Sequence, residues 1–309
     1  MPFDRRKLFA ACAALLLAAV AVGAHAQPGP PSGPPGAGPP RGPRPDPYAG
    51  KTKVLFIADT STGNQVAHDS TSHAMAQMEG VLRKAGLVVF LHTDMKAVTK
   101  GEVWGTGDYA QGGKKQSKGR NLDFFDVVVL YVNGEPALDA KGQKDLLDFI
   151  AQGKGFVGIH TATSAGYYWP EYGKMIGGYF DNHPWNIVAT TMIVERPDFP
   201  GMAGFVANPQ VKDEMYAMTP EPYSRRDADV LMRLDTSQLD MTNPQVHRTD
   251  GDFPQAWIKS YGKGRVFYSA LGHPEAAWDD PRVQAMYLEA IKWAAGLTSY
   301  PVRPHPLPK

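Results

Sequence analysis

The sequence predicts a doubly wound three-layer α/β domain, a parallel sheet with helices on both faces, carrying a β-rich insertion. Three observations carry that prediction. Apolar, β-branched runs recur along the chain, amphipathic segments at helical spacing lie between them, and residues 185–262 change to strands with little helix.

Residues 54–58, 87–91, 126–132, 156–160 and 265–271 are apolar on both alternating faces, as strands buried inside a parallel sheet are. After the first run, Met75, Met78, Leu82 and Ala85 fall at i, i+3, i+7 and i+10, and Gly86 stops that helix. Residues 143–152 give a second helix, with Leu146, Leu147 and Ile150 as its apolar stripe. In the last helix Val283, Met286, Tyr287, Ala290, Ile291 and Ala294 trace one face; Asp279-Asp280-Pro281 opens it and Gly296 closes it. Right-handed crossovers then join the strands. Residues 100–121 are polar and Gly-rich and read as a long mobile loop. Within 185–262, residues 186–195, 214–218, 229–235 and 256–261 read as strands of an insertion or sheet extension.

The chain ends read differently from the core. Arg5, Arg6 and Lys7 precede an apolar run from Leu8 to Ala24 and the pattern Ala24-His25-Ala26, an export signal over residues 1–26. The run is too short and Ala-rich for a membrane span. Asp4-Arg5-Arg6-Lys7-Leu8-Phe9 is close to a twin-arginine signal, with an ordinary secretory signal as the alternative, and both place the mature chain in the periplasm. Residues 27–50 hold ten prolines and six glycines and read as an extended linker, either a tether or a recognition tract. The domain proper is expected over 51–298, and residues 299–309, with four prolines, are expected to be an unpacked tail.

Composition excludes several functions. The chain has 32 basic and 31 acidic residues; removing Arg5, Arg6, Lys7 and Asp4 with the signal leaves 29 and 30, a net charge of −1. No basic block stands out, so nucleic acid is not an expected partner. The single cysteine, Cys12, lies in the signal, which excludes disulfides, thiolate metal sites and cysteine nucleophiles from the mature chain.

In open α/β sheets ligands bind beyond the carboxyl ends of the strands. His160 ends one strand and leads into Thr161, Ala162 and Thr163, the place of a nucleophile elbow, but no G-x-S-x-G surrounds it. Imidazole titrates near neutrality, so His160 is a candidate general base, proton donor or metal ligand. His273 ends another strand, and His68 lies in the loop after the first. Asp181, His183 and Trp185 offer a carboxylate, an imidazole and an aromatic face together, a set suited to a sugar ring. In extended chain Asp213 and Glu214 point to opposite faces, so one of the two is expected to face the site. Histidines joined by a carboxylate admit a divalent metal ion, although no H-x-x-H spacing marks one. Tyr167-Tyr168-Trp169 reads as core packing before carbohydrate lining, and His92 and His247 as surface or packing residues.

Gly155-Phe156-Val157-Gly158-Ile159-His160, Gly177-Gly178-Tyr179-Phe180 with His183-Pro184, and Asp213-Glu214-Met215-Tyr216 together resemble the ThuA-like (trehalose-utilisation) family. The most specific stretch is Tyr261-Gly262-Lys263-Gly264-Arg265-Val266-Phe267-Tyr268-Ser269-Ala270-Leu271-Gly272-His273. With Trp293-Ala294-Ala295-Gly296, the similarity spans about residues 53–297. The resemblance implies a flavodoxin-like fold related to class I glutamine amidotransferases, with His160 where those enzymes carry cysteine. It therefore excludes glutaminase activity, and it implies a role in sugar metabolism with 3-keto-glycosides as substrates. Gln65-Val66-Ala67-His68 departs from the family's usual aromatic-Arg-His run.

These readings lead to an exported enzyme that hydrolyses or eliminates the glycosidic bond of a 3-keto-disaccharide or glycoside. His160 would take the acidified C2 proton, Asp213, Glu214 or His183 would protonate the leaving oxygen, and a metal ion would stabilise the enolate. Thr161, Asp181, Trp185, His273 and His68 are the expected substrate contacts. The alternatives are a sugar-binding module without chemistry and a scaffold whose proline-rich arm is the contact.

Overall fold

Strand β1 (Lys53–Ile57) buries four of its five residues, as its doubly apolar pattern requires. Helix α1 (Ser70–Lys84) buries Ala74, Met78 and Leu82 and leads to β2 (Val88–His92). Strands β3 (Val103–Trp104) and β4 (Lys118–Gly119) form a short antiparallel pair before β5 (Val127–Leu130). Asp139 caps α2 (Ala140–Ala151) by accepting from the Gly142 amide, and β6 (Gly155–Ile159) follows. Helix α3 (Pro170–Ile176) starts on a proline and stops at Gly177, whose φ of +94° suits a residue without a β-carbon. Then come β7 (Phe180–Asn182), β8 (Ile187–Val194), α4 (Ala203–Ala207), β9 (Gln210–Glu214) and β10 (Ala217–Met218). The chain closes with β11 (Asp229–Leu234), β12 (Pro254–Tyr261), β13 (Gly264–Ser269), α5 (Glu275–Asp279) and α6 (Pro281–Ala294).

This computed structural model describes residues 46–58, 68–104 and 118–308. The expected signal, most of the linker, Gln65 to Ala67 and residues 105–117 of the expected mobile loop lie outside the described residues.

Nine strands form one sheet in the order β2-β1-β5-β6-β13-β12-β11-β8-β9. The first five run parallel, and the remaining four pair antiparallel. Successive residues of each parallel strand feed opposite faces. Val54, Phe56, Val127 and Val129 pack with Met78 and Leu82 of α1 and Met286 and Tyr287 of α6. Leu55, Ile57, Val128 and Leu130 pack with Leu146 and Phe149 of α2 and Met175 and Ile176 of α3. The three layers and the double winding are as the sequence predicts. Close approach of a helix demands glycine at the start of β13: a β-carbon on Gly264 would stand 2.0 Å from the Ile150 carbonyl oxygen.

Several expectations change. Of the two readings of the β-rich stretch, the sheet extension is the one found, since β12 pairs directly with β13. The strand expected over 214–218 is divided: β9 ends at Glu214 while paired to β8, and β10 pairs instead with β7. Short helices α3, α4 and α5 lack the long apolar stripe that reveals a helix in sequence. The linker packs earlier than expected, for Tyr48 meets Phe90 and Phe124 edge-on at 5.5 and 5.7 Å.

The tail is not unpacked. Tyr300 is buried and its carbonyl accepts the Trp293 indole N–H, while the Arg303 amide donates to Asp229 at 2.7 Å. His305 reaches Glu195 and Asp229. Buried carboxylates need donors, and the proline-rich chain supplies them without having to form a helix or strand. No helix among the described residues is long and apolar enough to cross a membrane.

Candidate functional site

Strand β6 runs directly into a 3₁₀ turn, His160–Thr163. His160 holds a φ of +45°, a left-handed conformation uncommon for a residue with a β-carbon, so the turn is strained in the manner expected of an elbow. Its side chain is fully buried. Nδ1 lies 2.6 Å from the Ala270 carbonyl oxygen. A carbonyl only accepts, so in the neutral ring the proton sits on Nδ1 and Nε2 keeps its lone pair. The Tyr216 hydroxyl, 3.0 Å from Nε2, therefore donates to it, and the two rings stack at 4.5 Å. Burial, with the nearby Tyr268 and Glu214, raises the Tyr216 phenol well above 10, which keeps it a donor.

His273 follows β13 through Gly272, whose φ is +133°. Its Nδ1 lies 3.3 Å from His160 Nε2 and 3.2 Å from Glu214 Oε2. That hydrogen bond to Glu214 raises the His273 pKa despite partial burial. Glu214, at the end of β9, places Oε2 3.5 Å from His160 Nε2 and Oε1 3.7 Å from His183 Nε2. Burial works against its charge, but the imidazoles beside it, His273 above all through its hydrogen bond, prevail and hold the carboxyl well below the usual range. His68 stands edge-on to His160 at 5.0 Å and to His273 at 4.7 Å. Burial, then the charges of those two neighbours, lowers its pKa to about 4, so it is neutral at pH 7.

Of the adjacent carboxylates, Glu214 is the one that faces the cluster. Asp213 is fully buried, and its oxygens accept the amides of Gly272 at 2.8 Å, His273 at 3.0 Å and Glu214 at 2.8 Å. It fixes the backbone that carries His273. Burial pushes its carboxyl up to about 6. The acid role expected of Asp213 gives way to this clamp, since both oxygens are engaged by main chain.

The structure thus gathers His68, His160, Glu214 and His273, whose nearest ligand atoms all lie within 4.8 Å of one another. Imidazoles with a carboxylate are the donor set of divalent transition metals. His183 meets Glu214 from the more open side, with 40% of its side chain exposed. Asp181 and Trp185 are otherwise engaged. Asp181 pairs with His247 at 2.8 Å, and the Trp185 indole donates to the Asp240 carbonyl at 3.0 Å and packs on Phe253. Among the described residues no ion pair or hydrogen bond ties either to the cluster. Thr161 is buried in the turn, and its carbonyl accepts the Ser164 amide. Trp169 is core, as expected, whereas Tyr168 is exposed.

Two participants escaped sequence reasoning. Tyr131 donates its hydroxyl to the Gly272 carbonyl at 3.0 Å and meets Ser70 Oγ at 2.9 Å, bracing the His273 loop from the opposite side to Asp213. Tyr216 caps His160. A signal for it existed, because residues two apart in extended chain share a face and Tyr216 stands two beyond Glu214.

Comparison with known proteins bears on the fold and the family. The family model described as ThuA, trehalose utilisation, matches residues 53–294. A ThuA-like protein from Bacteroides uniformis superposes with a TM-score of 0.59 at 20% identity, over 82% of this chain and 95% of that one. Another, from Parabacteroides merdae, gives 0.55 at 18% identity, over 79% and 90%. None of the curated proteins matches this chain. With the match covering nearly the whole sheet and the histidine cluster at its carboxyl edge, the chain belongs to the ThuA, trehalose-utilisation family, and with it to carbohydrate metabolism.

Proposed function

We propose that this chain is an exported enzyme that cleaves the glycosidic bond of a 3-keto-disaccharide or 3-keto-glycoside. One observation carries the proposal: a partly exposed imidazole, His183, is joined through Glu214 to the buried His160 and the half-buried His273. A ketone at C3 acidifies the proton on C2, and a carboxylate-backed imidazole at the mouth of a site is suited to take it.

The bonds change as follows. His183 Nε2 accepts the C2 proton, since Nδ1 is buried, and the C–H electron pair forms the enolate of the C3 ketone. The enolate then reforms the ketone while the C1–O bond breaks, leaving a C1–C2 double bond, and the departing oxygen recovers the proton from the imidazolium. Addition of water across that double bond completes a net hydrolysis; release of the enone makes the enzyme a lyase. Glu214 stabilises the charged imidazole. His160, with both ring nitrogens engaged and no exposed surface, serves as a support more readily than as the base that reaches the sugar.

The test is product release from a 3-keto-disaccharide and from its unoxidised parent. Cleavage of the keto-sugar alone is expected, with His183→Gln lowering kcat by about 10²–10⁴-fold. Equal cleavage of the parent would refute the proposal. Sugar binding without turnover would make the chain a binding module instead. Export rests on residues 1–26 and predicts a mature chain beginning at Gln27.

A further inference from the structure

We infer that His160 Nε2, His273 Nδ1 and Glu214 Oε2 bind one divalent transition-metal ion, with His68 as the fourth protein ligand. The three donor atoms form a nearly equilateral triangle with edges of 3.2, 3.3 and 3.5 Å. Around an ion with bonds of 2.0–2.1 Å in tetrahedral geometry, neighbouring donors stand about 3.3 Å apart. The agreement is on all three edges.

Hydrogen bonding leaves one of those edges unexplained. His273 Nδ1–H faces both Glu214 Oε2 and His160 Nε2, which accounts for two of them. Because the Ala270 carbonyl takes the His160 proton on Nδ1, Nε2 presents a lone pair. The Glu214 Oε2 carboxylate oxygen presents another, 3.5 Å away in a buried site. Two acceptors facing each other repel unless a cation stands between them, and Tyr216, which donates to Nε2, satisfies only the imidazole. The surroundings also match those of metal centres. A backbone carbonyl orients one ligand, the Asp213 carboxylate fixes the backbone of another, and the His68 ring stands edge-on to both imidazoles at 5.0 and 4.7 Å. Three nitrogens and one oxygen select zinc, cobalt, nickel or ferrous iron over magnesium and calcium, which take oxygen ligands. Such an ion, when bound, supplies Lewis acidity toward a carbonyl or enolate oxygen. On this arrangement Tyr216 competes with the ion for His160 Nε2.

The experiment is titration of the purified, chelator-treated chain with Co²⁺, followed by its visible d–d absorption and by displacement with Zn²⁺. One equivalent is expected to bind at roughly micromolar Kd or tighter. His273→Gln is expected to weaken binding by about 100-fold or more, and His160→Ala likewise. Tyr216→Phe, which removes the competitor, is expected to tighten it by about 2–10-fold. Should His160→Ala fail to fold, His273→Gln alone carries the test, because its side chain lies on a loop. No Co²⁺ uptake, or uptake unchanged in His273→Gln, would overturn the inference. Binding is read without sugar, so the two proposals fail separately. A chain that takes up Co²⁺ but leaves every keto-glycoside intact refutes the substrate reading alone. A chain that cleaves keto-glycosides but takes up no metal refutes this inference alone.

Discussion

Two clusters of buried ionisable groups sit at different parts of the sheet, and they are built on opposite principles. Around Glu195 every charge meets its counter-charge. Arg225 bonds both oxygens of Glu195 and both of Asp252 at 2.8–3.0 Å, Arg233 adds a bond to Glu195, and Arg196 pairs with Asp229. Around Glu214 one ionised carboxylate faces His160, His183 and His273, with His68 beside them, while Asp213 is engaged by main chain. In the first cluster each of the three carboxylates, Glu195, Asp229 and Asp252, is held by an arginine. The second leaves lone pairs converging on one point. Burial of charge by itself does not mark a site; the imbalance of partners does.

Breaking the arginine-held cluster tests this contrast most severely. Arg225→Ala removes the guanidinium shared by two buried carboxylates and is expected to cost about 3–5 kcal/mol of stability, read by urea denaturation. Co²⁺ binding by the fraction that remains folded should be unchanged. If that substitution abolished metal uptake in the folded protein, the two clusters would not be independent.

Stability against pH separates them next. Glu195 has its pKa lowered, because the Arg225 and His305 hydrogen bonds outweigh its burial. Its contribution is present above the unfolded value of 4.5 and is lost as pH falls through the folded one. Asp213 has the reverse sign. Its pKa rises from 3.8 to about 6 on folding, so its contribution is present below 3.8 and is lost as pH rises through about 6. In chelator-treated protein, Asp213→Asn should therefore remove a loss of roughly 1–3 kcal/mol between pH 4 and 6. Glu195→Gln should remove a loss confined to pH below about 4.5. Urea midpoints across this range decide it, and parallel pH curves for the two variants would contradict the assigned environments.

The smallest effects lie at the edges of each cluster. His305→Ala loosens the tail and is expected to cost about 1 kcal/mol, with no change in metal binding. His183→Gln, at an open position, should shift stability by less than about 0.5 kcal/mol. Thermal melts of the two variants side by side rank them.

Periodicity made the parallel half legible. Strands such as β5, apolar on both faces, and helices such as α6, with a full stripe, advertise themselves because burial on two sides leaves no polar position. The extension was legible as strands but not in its pairing, since the register of β9 against β8 and the departure of β10 toward β7 depend on partners distant in the chain. For the site, His160 and His273 were found from strand ends, while alternation required one of Asp213 and Glu214 to face it without telling which. Asp181, inside β7, and Trp185, in the turn after it, make their contacts with His247, Asp240 and Phe253, which no local pattern encodes. The tail misled for a related reason: proline content reports on regular structure, and the Arg303 and His305 anchors need none.

The clamp of Asp213 on Gly272 and His273 links the end of the antiparallel extension to the last parallel strand across about sixty residues of chain. His68, His160, Glu214 and His273 come from four separate segments, and Glu214 belongs to the sheet's outermost strand. Contacts of such long sequence separation form late in folding. The cluster is therefore complete only when the whole sheet is, and a partly folded or truncated chain presents isolated histidines in place of the assembled set. Its chemistry is thereby timed to follow folding.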